Sequence, residues 1–266
     1  MESSLSIALV QIETTPDPAA NLANARIWAR RAAGQGADLV VFPEMFMGLP
    51  KADCPPAQIA AADQGKFVRG LEALAAETGV FVVSGSWEPG PEPRRAYNTA
   101  HIFSPEGRIV ASYRKLHLFD ALNVRESDIM TPGDDPPPVV DIAGVRVGLA
   151  ICYDLRFPEI FRYLAVQGAQ LVLVPSAWYQ GPMKEVHWLT LLRARAIENT
   201  FYVAGCNLVG TAFCGSSAVF DPFGVIQAGA GEVPTLVSAS VDIQRLEAVR
   251  HKLPSLRHRR LDLFAG

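Results

Sequence analysis

Three side chains of this 266-residue chain carry the chemistry of nucleophilic catalysis: the thiol of Cys152, the carboxylate of Glu44 and the ammonium of Lys115. A thiol attacks an electrophilic carbon, a carboxylate moves the proton, and an ammonium faces the negative charge that develops. Cys152 closes the apolar run VRVGLAIC and is followed at once by polar YDLRFPE, which presents it at a strand end entering a charged turn. Judged alone, such a cysteine is more often an inert core hydrophobe. Glu44 ends GADLVVFPE, either as a solvated loop carboxylate or as one held in a partly apolar site that would raise its pKa. Lys115 follows a candidate hairpin in SYRKLHLFD. Glu126 lies in VRESDIMTPGD, a long connection of the kind that often carries function.

The elements that must position these groups show themselves through a weak internal repeat. GADLVVFPE at 36–44 is echoed by GAQLVLVPS at 168–176, ETGVFVV at 77–83 by ENTFYVA at 198–204, and IFSPEGRI at 102–109 by VFDPFGVI at 219–226. Strands are expected at Ser6 to Ile12 and Arg146 to Cys152, with amphipathic helices at Asn21 to Ala33 and Glu159 to Gln167. The two Pro-x-Gly segments are expected to turn hairpins. Each half, about 4–115 and 143–240, then alternates strand and helix, and a C-terminal tail follows. Strands alternating with helices argue for helix-covered sheets. Two such halves bury their remaining sheet faces against each other, so the expected fold is α/β: a single domain over 1–266, built as a four-layer α-β-β-α sandwich about a pseudo-two-fold axis. The site should sit at the strand ends, where loops from both sheets converge.

Composition narrows the function classes. The chain is 49% hydrophobic and 19% charged with a net charge of −3, which gives no general attraction to nucleic acid or to anionic membrane. The N-terminal MESSLSIALVQ lacks a basic n-region, and no apolar run approaches the roughly 20 residues of a membrane span. A soluble, cytoplasmic protein with a small-molecule substrate is expected. The four cysteines form no CxxC pair, and the five histidines lack HExxH or paired Cys/His spacing. No disulfide framework, metal or cofactor is therefore expected. Basic residues between Arg250 and Arg260 interleave with Leu253, Leu256, Leu261, Leu263 and Phe264, which suits a segment packed against the domain or a second subunit.

Taken together, FPE at 42–44, RKLHLFD at 114–120, RES at 125–127, CYDLRFPE at 152–159, HWLTLLRARAIEN at 187–199 and the C-terminal LPSLRHRRLDLF resemble the nitrilase superfamily of carbon-nitrogen hydrolases across nearly the whole chain. The resemblance implies a catalytic triad of Glu44, Lys115 and Cys152, with Glu126 orienting the lysine, on a four-layer sandwich with internal two-fold symmetry. It also implies a homodimer or higher homo-oligomer. The expected reaction is attack of Cys152 on a small amide, loss of ammonia and hydrolysis of a thioester. Lys115 would lower the thiol pKa and then, with the backbone N–H after Cys152, hold the oxyanion.

Among branches of the superfamily the chain looks most like the Nit-type amidases, which include omega-amidases and enzymes cleaving deaminated glutathione. CGSS at 214–217 departs from the Gly-His-Ser-like run usual in that branch, and AGCNLVG at 204–210 looks more like other amidase branches, including carbamoyl-group hydrolases. A nitrilase or an N-carbamoyl amidohydrolase would use the same triad, and a silent interaction protein would be expected to have lost part of it. Arg156 is read as the partner of a substrate carboxylate, or else of Asp154 or Glu159. Tyr153, Trp178, Tyr179 and Asn207 are read as substrate-binding residues of the pocket.

Overall fold

The computed structural model describes residues 4–263. The first half runs β1 (Ser4–Gln11), α1 (Pro18–Gly34), β2 (Leu39–Val41), α2 (Pro56–Asp63), α3 (Lys66–Thr78), β3 (Phe81–Pro89), β4 (Ala96–Phe103) and β5 (Ile109–Arg114). Short strands β6 (Asp120–Ala121), β7 (Val124–Arg125) and β8 (Met130–Thr131) lie in the connection. The second half runs β9 (Val139–Ile142), β10 (Val145–Leu149), α4 (Pro158–Val166), β11 (Leu171–Ser176), α5 (Lys184–Asn199), β12 (Tyr202–Asn207), β13 (Ala218–Phe220) and β14 (Ile226–Gly229). The chain then returns through β15 (Thr235–Asp242) into α6 (Ile243–Lys252). No helix among the described residues is long and apolar enough to cross a membrane.

The two main sheets are wired alike. In the first, β1, β2 and β3 are parallel while β4 and β5 continue antiparallel. In the second, β10, β11 and β12 are parallel while β13 and β14 continue antiparallel. Each has an antiparallel strand added at the β1 or β10 edge: β15 on β1 and β9 on β10. Both Pro-x-Gly segments turn hairpins, β4–β5 and β13–β14, as their spacing predicts.

Alternation along the strands builds the layers. On β1, Ile7 and Leu9 face the second sheet and join Val147, Leu149, Leu171, Leu173 and Val203 in one core, while Ala8 and Val10 face Ala25, Ala29 and Leu71 of α1 and α3. Each buried Leu, Ile or Val contributes roughly 1.5–3 kcal/mol relative to exposure. Helix α1 starts where Asp17 accepts a 2.9 Å bond from Ala19 N ahead of Pro18 at the first turn. Its buried alanines let it lie close to the sheet. On the far side α5 presses on β12 at Gly205, where a Cβ would meet Trp188 and Leu192 at 2.6 Å.

Two sequence expectations need adjustment. Strand β10 ends at Leu149, and Cys152 opens a 3-10 turn over Cys152–Arg156 with φ +45. The turn wins over continued strand because Asp154 accepts from Ile151 N at 2.9 Å, pulling the chain round. In the tail, Leu256 is half-buried but Leu261 and Leu263 are 55% and 63% exposed, so they do not pack on this domain. Phe264 lies outside the described residues.

Candidate active site

Glu44 is carried by the loop after β2, which turns back with Met45 at φ +56 and lies flat over Gly85 of β3. A Cβ at Gly85 would stand 3.0 Å from Met45 N and 3.2 Å from the Glu44 Cα, so any side chain there would push the loop off the strand by a few tenths of an ångström. Lys115 follows β5 directly. Its backbone N–H donates to Asn98 O at 2.9 Å, and its carbonyl accepts from Gly133 N at 2.9 Å. Asn98, on β4, also donates through Nδ2 to Glu44 Oε1 at 2.7 Å, so one residue registers both partners.

The Lys115 ammonium donates to Glu44 Oε1 at 2.8 Å and to Glu126 Oε1 and Oε2 at 3.0 and 2.8 Å. Glu126 is held in turn by Phe119 N, which donates to its Oε2 at 2.7 Å. The second oxygen of Glu44 accepts from Ala177 N at 2.8 Å, across 133 positions of sequence, and this bond ties the loop after β2 to the loop after β11. All three ionisable groups are buried, Glu44 and Lys115 to 1% exposure.

Cys152 borders the same cluster. Its strained φ costs of order 1–3 kcal/mol and persists because the turn is tied at both ends. At the front, the fully buried Asp154 accepts from Ile151 N and Tyr113 OH on one oxygen, at 2.9 and 2.8 Å. Its other oxygen accepts from His117 N at 3.2 Å and pairs with His117 Nδ1 at 2.8 Å. At the back, Arg195 of α5 donates twice to Leu155 O, at 3.1 and 2.9 Å. Removing the phenol in Tyr113→Phe leaves a buried carboxylate short of a donor and should cost about 1.5–3 kcal/mol. Thermal denaturation should then show a melting temperature lower by about 3–12 °C. An unchanged melt would remove Asp154 from this structural role.

Electrostatics sharpen one expectation. Burial pushes the Cys152 thiol well above its ordinary range and the Glu44 carboxylate adds to this, while the Lys115 ammonium opposes and Glu126 adds again. Lys115 acts on the thiol in the expected direction, but burial and the two carboxylates outweigh it. Lys115 itself stays charged: burial works against it, but Glu44 and Glu126 together hold its pKa well above the usual lysine range. Burial raises the pKa of Glu126 even beside Lys115. The geometry therefore suits transfer of the thiol proton to a neighbouring carboxylate as the sulfur attacks.

Above the cluster lies a narrow cleft with about 10 Å³ of room for a water-sized molecule. Cys152, Glu126, Tyr153, Arg156, Trp178 and Tyr179 border it, together with Phe119, Ala177 and Lys184, which the sequence reading did not single out. Arg156 is not ion-paired with Asp154 or Glu159, and its guanidinium lies over the Trp178 ring, 4.8 Å from the centroid. Asn207 does not line the cleft. It is fully buried behind the wall, where its Oδ1 accepts from Trp178 N at 2.7 Å and its Nδ2 donates to Gly215 O at 2.8 Å. Its amide is spent on tying Trp178 to the Cys214–Gly215 turn, away from the cleft.

A thiol seated on a buried acid–ammonium–acid cluster, at the seam of two helix-covered sheets, is the equipment of a hydrolase that works through its cysteine. The chain belongs to the nitrilase superfamily: the carbon-nitrogen hydrolase family model matches residues 6–251. The deaminated glutathione amidase of Synechocystis is 40% identical over 270 residues, covering 95% of this chain and 97% of that protein. Human omega-amidase NIT2 is 34% identical, covering 99% and 98%. Among solved structures, an amidase from Nesterenkonia superposes with a TM-score of 0.85 at 33% identity, covering 99% of this chain and 96% of that one. A variant of that amidase bears the acetamide moiety of fluoroacetamide covalently at its active-site cysteine. The protein is an amidase of this family.

Proposed function

We propose that the protein hydrolyses the terminal amide of a small, carboxylate-bearing substrate, in the manner of an omega-amidase, with Cys152 as nucleophile, Glu44 as acid and base, Lys115 at the oxyanion and Glu126 orienting the lysine. The observation that carries this reading is the direct Glu44–Lys115–Glu126 contact beneath the Cys152 cleft. As the Cys152 sulfur bonds to the amide carbon, its proton passes to Glu44. The oxygen takes the negative charge, facing the Lys115 ammonium and the Tyr153 N–H, which stands at the head of the 3-10 turn without an intrahelical acceptor. The oxygen re-forms its double bond as the C–N bond breaks, Glu44 protonates the nitrogen, and ammonia leaves a thioester. Glu44 then takes a proton from water, whose oxygen displaces the sulfur and releases the acid. The thiol recovers its proton from Glu44.

The names of the Synechocystis and human relatives support the carboxylate-bearing substrate. Ammonia release measured over omega-amides of dicarboxylic acids, carbamoyl amino acids and simple nitriles should give the highest kcat/KM for the omega-amides. Faster turnover of a nitrile or a carbamoyl compound would replace this reading.

The repeated strand order supports reading the chain as one domain of two pseudo-repeats, about 4–115 and 143–240, with a C-terminal tail. Four unpaired cysteines suit a cytoplasmic location. Exposed apolar side chains on α5 and the β13–β14 hairpin, among them Ile197, Phe223 and Ile226, support a homodimer or higher homo-oligomer.

A further inference from the structure

Two cations stand at the mouth of the cleft without an acid. Lys184 opens α5, is only 8% exposed, and holds its Nζ 4.8 Å from the Trp178 ring centroid and 5.0 Å from that of Phe119. The Arg156 guanidinium shares the same Trp178 ring. Its guanidinium also lies 3.5 Å from His187 Nδ1. Neither side chain takes part in an ion pair among the described residues, although the other buried cations, Lys115 and Arg195, both do. The Trp178 ring that both cations approach is fixed, since its Nε1 donates to Lys184 O at 2.9 Å and its backbone N–H to Asn207.

A nearly buried ammonium without a counter-charge is costly, and a guanidinium on the same ring raises that cost. Burial, and then the nearby Arg156, pull the Lys184 pKa downward. The positive end of the α5 dipole adds to the same potential. Two cations and a helix N-terminus at this point favour an anion, and both cations border the cleft that holds the nucleophile. The planar fork of Arg156 matches a carboxylate, and the compact Lys184 ammonium closes the other side.

We propose that Lys184 joins Arg156 in a carboxylate subsite that selects amides with an anionic group at the end remote from the scissile bond. The proposal rests on the amidase reading above and adds Lys184 as a specificity-determining residue. The amide carbon lies against Cys152 while the far carboxylate bridges the two cations, so the subsite fixes which end of the molecule is cut.

The test compares kcat/KM for succinamate with that for n-butyramide, a neutral amide of the same chain length. In Lys184→Met, which keeps the apolar stem over Trp178 and Phe119, the succinamate-to-butyramide ratio should fall about 10- to 100-fold, the loss expected for one charge-assisted contact. Lys184→Arg should recover part of it. An unchanged ratio, or a proportional fall on both amides without recovery in Lys184→Arg, would overturn the proposal and assign Lys184 to packing. Calorimetric titration of succinate gives a second reading that needs no turnover. Wild type should bind it at least about 10-fold more tightly than Lys184→Met, and equal or absent binding would overturn the subsite. If wild type hydrolysed neither amide, the amidase reading would fail while the titration still decided the subsite.

Discussion

Lys115→Met is expected to remove catalysis and a large part of the protein's stability in one step. The ammonium donates to Glu44 and Glu126 together, at 2.8 to 3.0 Å, in a site almost closed to water. Deleting it leaves two neighbouring buried carboxylates with no cation, and breaking a buried pair in this way costs about 3–5 kcal/mol. For a chain of this size that corresponds to a fall of roughly 6–20 °C in melting temperature. Activity should fall about 100- to 1000-fold from the lost oxyanion partner alone. The double variant Lys115→Met, Glu126→Gln removes one of the two like charges. It should regain part of the stability and none of the activity, which separates the two roles. A Lys115→Met protein that melts like wild type would show that the cluster is not charged as described.

Cys152→Ala should abolish ammonia release to below detection, while wild type incubated with a slow amide should yield an acyl mass adduct on Cys152 by mass spectrometry. Retained turnover in the variant would end the assignment. The backbone offers a second measurement. At φ +45 an alanine suffers the same Cβ strain as the cysteine, whereas glycine does not. Cys152→Gly should therefore unfold above Cys152→Ala by roughly 0.5–1 kcal/mol after allowing for the looser unfolded chain. The opposite order would mean that the turn is not strained.

Much of the sandwich was legible because it rests on local patterns. The apolar alternation of Ile7 to Val10, the helical spacing of Ala25, Ala29 and Ala32, and the two Pro-x-Gly turns each act within about a dozen residues. The motifs around Glu44, Lys115, Glu126 and Cys152 pointed to one site, and the structure places those residues together. What escaped was whatever depends on distant partners. Asp154 was one alternative partner for Arg156, yet it is tied to Tyr113 and His117, 41 and 37 positions away. Asn98 and Lys184 gave no sign at all, because a buried amide on a strand and a lysine at a helix start acquire meaning only from what packs against them. Asn207 was read one layer too far forward for the same reason. The effect of Lys115 on the thiol was read with the right sign, but burial and the carboxylates of Glu44 and Glu126, which outweigh it, depend on the folded surroundings.

The pairing of β15 with β1 has a consequence for how the protein is made. Residue Ser4 lies opposite Asp242, so the strand that completes the first sheet leaves the ribosome after every other strand described. At roughly 5–20 residues per second, β1 waits on the order of 10–50 s with its backbone edge unpaired. An uncovered edge is an invitation to another chain. The first half is therefore a nascent segment in need of shelter, and the C-terminal strand is the latch that ends its exposure.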